Sequence, residues 1–183
     1  MIGADGQLGT DLVIALGRAG YRPLVLTHAD VEVAEAESVD QELSSGRAEI
    51  VINTAALNVE ASERDPLAAF RVNAIGCRNV ADIACRTGMR VIHIGTDYVF
   101  DGLKREPYLE LDATGPMNTY GISKLAGERY VLTADPTNCV VRSSGLYGAA
   151  GCRAKNGLNF VTTMLKLGRE RGALSVVGDE RLT

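Results

Sequence analysis

Short apolar runs alternate with longer stretches of helical periodicity. The runs are RPLVLT (22–27), EIVINTAA (49–56), RVIHIGT (90–96), NCVVRSS (138–144) and ALSVV (173–177). They are rich in Val, Ile and Leu without a clean apolar–polar alternation, the pattern of parallel strands covered on both faces. Between them lie predicted helices: DLVIALGRAG (11–20), with its closing glycine as C-cap, SVDQELSSGR (38–47), and the long segment 65–88, with Pro66 suited to a first turn. NTYGISKLAGERYVL (118–132) and LNFVTTMLKLGRERG (158–172) complete the set. LNVEASE (57–63) reads as a loop. So does YLELDATGPMN (108–118), with Gly115–Pro116 as its turn signal. Strand–helix alternation of this kind predicts an α/β, Rossmann-like doubly wound parallel sheet, a single dinucleotide-binding domain over 1–183.

The start of the chain modifies that picture. GADGQLG (3–9) places glycines at 3, 6 and 9 ahead of a helical stretch. Gly3, Gly6 and Gly9 are therefore candidate pyrophosphate contacts, since glycines admit close backbone approach and a helix N-terminus favours negative charge. A strand should precede such a loop, yet only Met1 and Ile2 do. In a 3-2-1-4-5-6 sheet that strand is central, between the second and fourth. The expectation is that the chain as written is cut at both ends, with most of a C-terminal substrate-binding part absent, and that it folds poorly with so little central strand.

Composition narrows the partners. Nineteen basic against 23 acidic residues give a formal charge of −4, so nucleic acid and anionic membranes are not expected partners. The sequence has neither a transmembrane-length apolar run nor a signal-peptide layout. Cys77, Cys85, Cys139 and Cys152 form no CxxC pair and read as small buried hydrophobes. No metal site is expected, and a reducing cytoplasm is. At the end of 22–27, where NAD-binding proteins carry an acid for the ribose, stand Thr27 and His28. The uncharged Thr27 would not repel a 2′-phosphate, so the reading leans to NADP(H) while leaving NADPH or NADH open.

Tyr120 and Lys124 are spaced i and i+4, on one face of a predicted helix. An ammonium beside a phenol favours the phenolate and would tune Tyr120 as a general acid/base. Thr96 ends the run 90–96 at the carboxyl edge where α/β sites form, so its hydroxyl is a candidate holder of a substrate carbonyl. His93, within that run, reads as structural.

The glycine loop, the threonine and Y-x-x-x-K together resemble the extended short-chain dehydrogenase/reductases. TDYVFDG (96–102), NTYGISKLAGE (118–128), VRSSGLYG (141–148) and NFVTTMLKL (159–167) are similar, among these, to the dTDP-4-dehydrorhamnose reductases. The resemblance implies hydride transfer from NADPH or NADH to the C4 ketone of a dTDP-sugar. Thr96, Tyr120 and Lys124 would be catalytic, and Tyr120 and Lys124 would also touch the cofactor. It further implies that Gln7 and Leu8 join the glycines at the pyrophosphate, Glu32 and Val33 lie by the adenine, and Ala56 and Leu57 lie along the cofactor. Asp97, Gly145 and Asn159, with Thr96, would face the nucleotide-sugar. The family often carries a tryptophan where Gly145 stands, and its loop at 57–63 is commonly one residue longer. A homodimer stays open. Two other readings are a nucleotide-sugar epimerase or dehydratase and a non-catalytic subunit similar to the regulatory subunit of methionine adenosyltransferase. A dehydratase needs a second acid after Asp97, where this chain has Tyr98.

Overall fold

The computed structural model describes residues 1–44, 48–151 and 157–176. In chain order its elements are α1 (Gln7–Arg18), α2 (Ala36–Ser44), β1 (Ile50–Asn53), α3 (Val59–Arg64), α4 (Pro66–Phe70), a π-helical turn (Arg71–Ile75), α5 (Gly76–Arg86), β2 (Arg90–Thr96), a 3₁₀ turn (Asp97–Val99), α6 (Thr119–Ala134), β3 (Cys139–Ser143) and α7 (Phe160–Arg171). The three strands pair in parallel in the order β1-β2-β3, Ile50 opposite Arg90 and Thr96 opposite Ser143. This is the α/β, Rossmann-like architecture of parallel strands with flanking helices.

The opening residues Met1–Ala4 pair with chain on both sides. Ile2 bridges in parallel to Leu26 on one side and Asn53 on the other. The Ile2 N–H donates to the Ile52 carbonyl (2.9 Å) and the Thr54 N–H to the Ile2 carbonyl (3.1 Å). On the other flank the Leu26 N–H reaches the Met1 carbonyl (2.9 Å) and the Ala4 N–H the Leu26 carbonyl (3.1 Å). Ile2 is 1% exposed and belongs to the main hydrophobic core. The expected gap is thus closed, and the neighbour beyond Ile2 is β1, not β2. The run 22–27 supplies the Leu26 rung and the Leu24 carbonyl, which accepts from the Met1 nitrogen (2.6 Å). Its other residues, with Leu24 and Val25 exposed, form no ladder.

The core corrects the expectation of strands covered on both faces. Burial alternates along β2, with Val91 and His93 enclosed and Ile92 and Ile94 only half-buried. Cys77, Val80, Ala81 and Ala84 of α5 cover one face, joined by Val39 and Leu43 of α2 and Val131 of α6. On the remaining surface α1 buries only Gly9, and α7 buries nothing among its described side chains. Cys77 is buried as expected, but Cys85 and Cys139 are exposed; Cys152 lies outside the described residues.

Element ends follow local chemistry. Asn118 and Asn159 cap α6 and α7 by accepting from the Gly121 and Thr162 N–H groups. LNVEASE is not a loop: Asn58 accepts from the Ala61 N–H and starts α3. Gly20, at φ +88°, follows α1 and lets the Tyr21 N–H return to the Leu16 carbonyl (3.0 Å). Segment 173–176 forms no strand, and Val177, like positions 45–47 of the second predicted helix, lies outside the described residues.

Candidate active site

The three glycines of the opening loop have three different duties. Gly3 sits at φ +74°, where a Cβ would lie 2.7 Å from Thr54 Oγ1. Only glycine is at ease there. Gly9, already inside α1, passes so near the loop that a Cβ would fall 2.1 Å from the Gly3 carbonyl oxygen. Gly6 is the extended N-cap residue of α1 and has no side chain to occupy the space before the helix. The first-turn N–H groups of a helix lack intrahelical acceptors, so this end suits an anion.

Two cavities meet beside the loop. One, of about 330 Å³, is bordered by Gly3 and Gly6, by Thr27, His28, Glu32 and Val33, and by Ala56 and Leu57. The other, of about 800 Å³, is bordered by Leu8, Ala56, Thr96, Asp97, Tyr120, Lys124 and Gly145. Thr54 and Ala56 line both. Residues singled out from distant parts of the sequence therefore share one continuous region. Gln7, Gly9 and Asn159 line neither cavity. Gln7 Nε2 donates to the Leu146 carbonyl (3.1 Å), while Asn159 caps α7 and donates through Nδ2 to the Gly148 carbonyl (3.3 Å).

Thr96 ends β2 with its hydroxyl among several partners. It accepts from the Tyr98 N–H (3.2 Å), donates to Asp97 Oδ1 (3.2 Å), and is hydrogen-bonded to the Tyr120 hydroxyl. The Tyr98 ring meets the Tyr120 ring edge-on, centroids 5.6 Å apart. Burial pushes the Tyr120 phenol up, the Thr96 hydrogen bond opposes this, and the neighbouring Asp97 carboxylate adds to the rise. The expected lowering by Lys124 is therefore not what sets its acidity. The Lys124 ammonium is engaged elsewhere, donating to the Ile94 carbonyl (2.6 Å) and to His93 Nε2 (3.2 Å). Burial lowers the Lys124 pKa.

Other residues complete the surroundings that sequence reasoning overlooked. Asn73, in the π-helical turn, accepts the Leu57 N–H at Oδ1 (2.7 Å) and donates from Nδ2 to the Leu57 carbonyl (3.2 Å) and Ser123 Oγ (3.0 Å). It ties the loop after β1 to the turn of α6 between Tyr120 and Lys124. No short-range spacing announces that link. Near the smaller cavity, Asp30 turns back so that Oδ2 accepts from the Thr27 N–H (2.8 Å) and hydroxyl (2.7 Å). A carboxylate thus adjoins the neutral Thr27. Among the described residues, no helix is long and apolar enough to cross a membrane.

The chain is similar in sequence and fold to several known proteins. A dTDP-4-dehydrorhamnose reductase from Aggregatibacter actinomycetemcomitans is 37% identical over 180 residues, covering 97% of this chain and 59% of that protein. The crystal structure of a dTDP-4-dehydrorhamnose reductase from Clostridium acetobutylicum superposes with a TM-score of 0.90 at 35% identity, over 98% of this chain and 62% of that one. Another, from Bacillus anthracis in complex with NADP, has a TM-score of 0.85 at 37% identity, over 93% and 59%. The chain spans about 60% of the length of these relatives. The family model described as the RmlD substrate binding domain matches residues 1–183, and the chain belongs to that family.

Proposed function

We propose that the protein is an NAD(P)H-dependent oxidoreductase that reduces the C4 ketone of dTDP-4-dehydro-L-rhamnose to give dTDP-L-rhamnose. The observation that carries this reading is the single cavity bordered by Thr96, Asp97, Tyr120, Lys124 and Gly145, continuous through Thr54 and Ala56 with the one beside the glycine loop. The reductase names of the relatives support it. The close Gly3–Gly9 approach at the open end of α1 fits a dinucleotide pyrophosphate, with Gly6, Gln7 and Leu8 beside it. Glu32 and Val33 are assigned to the adenine, and Ala56 and Leu57 to the cofactor's length. Bound there, a reduced nicotinamide supplies a hydride to a carbonyl carbon.

The chain's own groups handle the oxygen. When substrate enters, the Tyr120 hydroxyl would donate to the carbonyl oxygen as it gains negative charge, and the Thr96 hydroxyl would turn its one hydrogen from Asp97 to the same oxygen. Tyr120, its phenol pushed up by burial, holds its proton at neutral pH and passes it to that oxygen. The Lys124 ammonium is assigned to the nicotinamide ribose. Asp97 and Gly145 are assigned to the nucleotide-sugar, and Asn159 to the same side through the loop it holds at Gly148. Tyr98, packed against Tyr120, stands where elimination chemistry would need a second acid. We place the enzyme in the cytoplasm, with the dTDP-sugar as its small-molecule partner.

The test is an assay of the full natural chain with dTDP-4-dehydro-L-rhamnose, following NADPH and NADH oxidation separately. We expect oxidation matched by dTDP-L-rhamnose formation. Tyr120→Phe should lower turnover by roughly 10²- to 10⁴-fold, the usual worth of a positioned proton donor, while cofactor binding survives. Absence of product, or a phenylalanine variant as fast as the parent, removes the reading.

A further inference from the structure

A line of buried polar side chains runs through the core behind the site. Asn53 on β1, Cys77 on α5, His93 on β2 and Lys124 on α6 are each 3% exposed or less. Asn53 Nδ2 donates to Cys77 Sγ (3.8 Å), and His93 Nδ1 lies 3.8 Å from the same sulfur. His93 Nε2 faces Lys124 Nζ at 3.2 Å. An ammonium has donors only, so Nε2 must be the accepting nitrogen and Nδ1 carries the ring hydrogen, while the Cys77 sulfur packs beside both ring nitrogens at 3.7–3.8 Å. His93 occupies an inward position of β2 between Val91 and Gly95, where an apolar side chain would avoid the cost of burying an imidazole.

We propose that His93 is a positioning residue: its Nε2, together with the Ile94 carbonyl, grips the Lys124 ammonium from the core side and holds it for the cofactor. The proposal rests on the reductase reading for the role of Lys124. Of three ammonium donors, two are engaged by the strand end, and Lys124 also lines the larger cavity. His93 remains neutral, because burial and the adjacent ammonium both hold its pKa well below the ordinary value. It therefore accepts without adding a like charge. The Cys77 thiol, pushed up to about 11 by burial, stays protonated beside it. The other charge felt by Lys124 is Glu128 on the same helix, itself bound to Arg142 of β3.

The experiment compares His93→Leu, which lacks the acceptor, with His93→Gln, which keeps one, in the full natural chain. NADPH affinity is read by nicotinamide fluorescence from neutral pH into the alkaline range. Removing an acceptor that faces the ammonium disfavours its charged form, so Lys124 loses its proton at lower pH. In His93→Leu, NADPH should bind about tenfold more weakly, and the alkaline loss of affinity should move down by about one pH unit. His93→Gln should restore both. If leucine prevents folding, His93→Met supplies the same comparison. An alkaline midpoint unchanged from the parent would leave His93 a packing residue and overturn the proposal, whatever happens to affinity or melting temperature. Because the readout is binding, a chain that binds NADPH but leaves the sugar unreduced overturns the proposed function alone. A parent chain that binds neither NADPH nor NADH overturns both, and one that binds NADH alone is tested by the same titration with NADH.

Discussion

At the scale of single residues, the proposed proton transfer turns on the balance at Tyr120. Burial lifts the phenol and the Thr96 hydroxyl partly offsets it. A phenol with a raised pKa is protonated below that value, so reductive turnover should persist through neutral pH and fall only above the ordinary tyrosine range, about 10. Thr96→Val removes the group that lowers the phenol and one donor to the developing oxyanion. Its reductive kcat should drop by roughly 10²-fold, the typical worth of such a donor, whereas Thr96→Ser should retain most activity. A valine variant within twofold of the parent would show that Thr96 serves only as the cap of the 3₁₀ turn. Thr96, Tyr120 and Lys124 were legible because each sits at a register position that local rules predict. The protein's grip on Lys124 was not, since its partners Ile94 and His93 stand about thirty residues away.

At the scale of elements, α6 carries the site because it can come unusually near its neighbours. A Cβ on Gly127 would fall 2.0 Å from the Asn73 carbonyl oxygen, and one on Gly121 would fall 2.3 Å from that of Tyr98. These glycines let α6 lie against the π-helical turn and the end of β2, which brings Ser123 to Asn73 and Tyr120 to Thr96. Gly127→Ala should therefore overpack the contact and lower stability by about 1–3 kcal/mol. Gly17→Ala, in α1 with nothing within 4 Å of the added carbon, should be neutral or stabilising by about 0.5–1 kcal/mol. Denaturant melts of the two variants separate the cases, and equal midpoints would contradict the packing argument. The helices at 11–20, 65–88 and 118–132 were readable from periodicity and caps. The π-helical turn was not: a one-residue widening leaves the apolar pattern of 65–88 almost unchanged, and only its contacts with Leu57 and Ser123 give it a purpose.

For the molecule as a whole, the cofactor is expected to be a structural component as well as a reactant. The loop, the Met1–Ala4 rung and the ends of β1 and β2 converge on the two cavities, so a dinucleotide bridging them would tie these parts together. At a hundredfold excess over Kd, a ligand that binds only the folded state adds about 2.7 kcal/mol. For a protein of this size that corresponds to a rise in Tm of roughly 5–10 °C. Differential scanning fluorimetry with NADPH and with NADH measures it, and no shift with either would mean the cavities do not hold a dinucleotide.

By itself the sequence determined the class of fold, the order of most elements and the residue types proposed for the reaction centre, because these depend on periodicity, caps and spacings within one or two turns. Only the tertiary structure decided that Ile2 sits between Leu26 and Asn53, since both pairings join segments far apart in the chain. It alone also decided which faces of the sheet are enclosed, what sets the Tyr120 proton, and that His93 stands behind Lys124. Those properties arise from burial and from hydrogen bonds between segments far apart in the chain, and no local pattern encodes them.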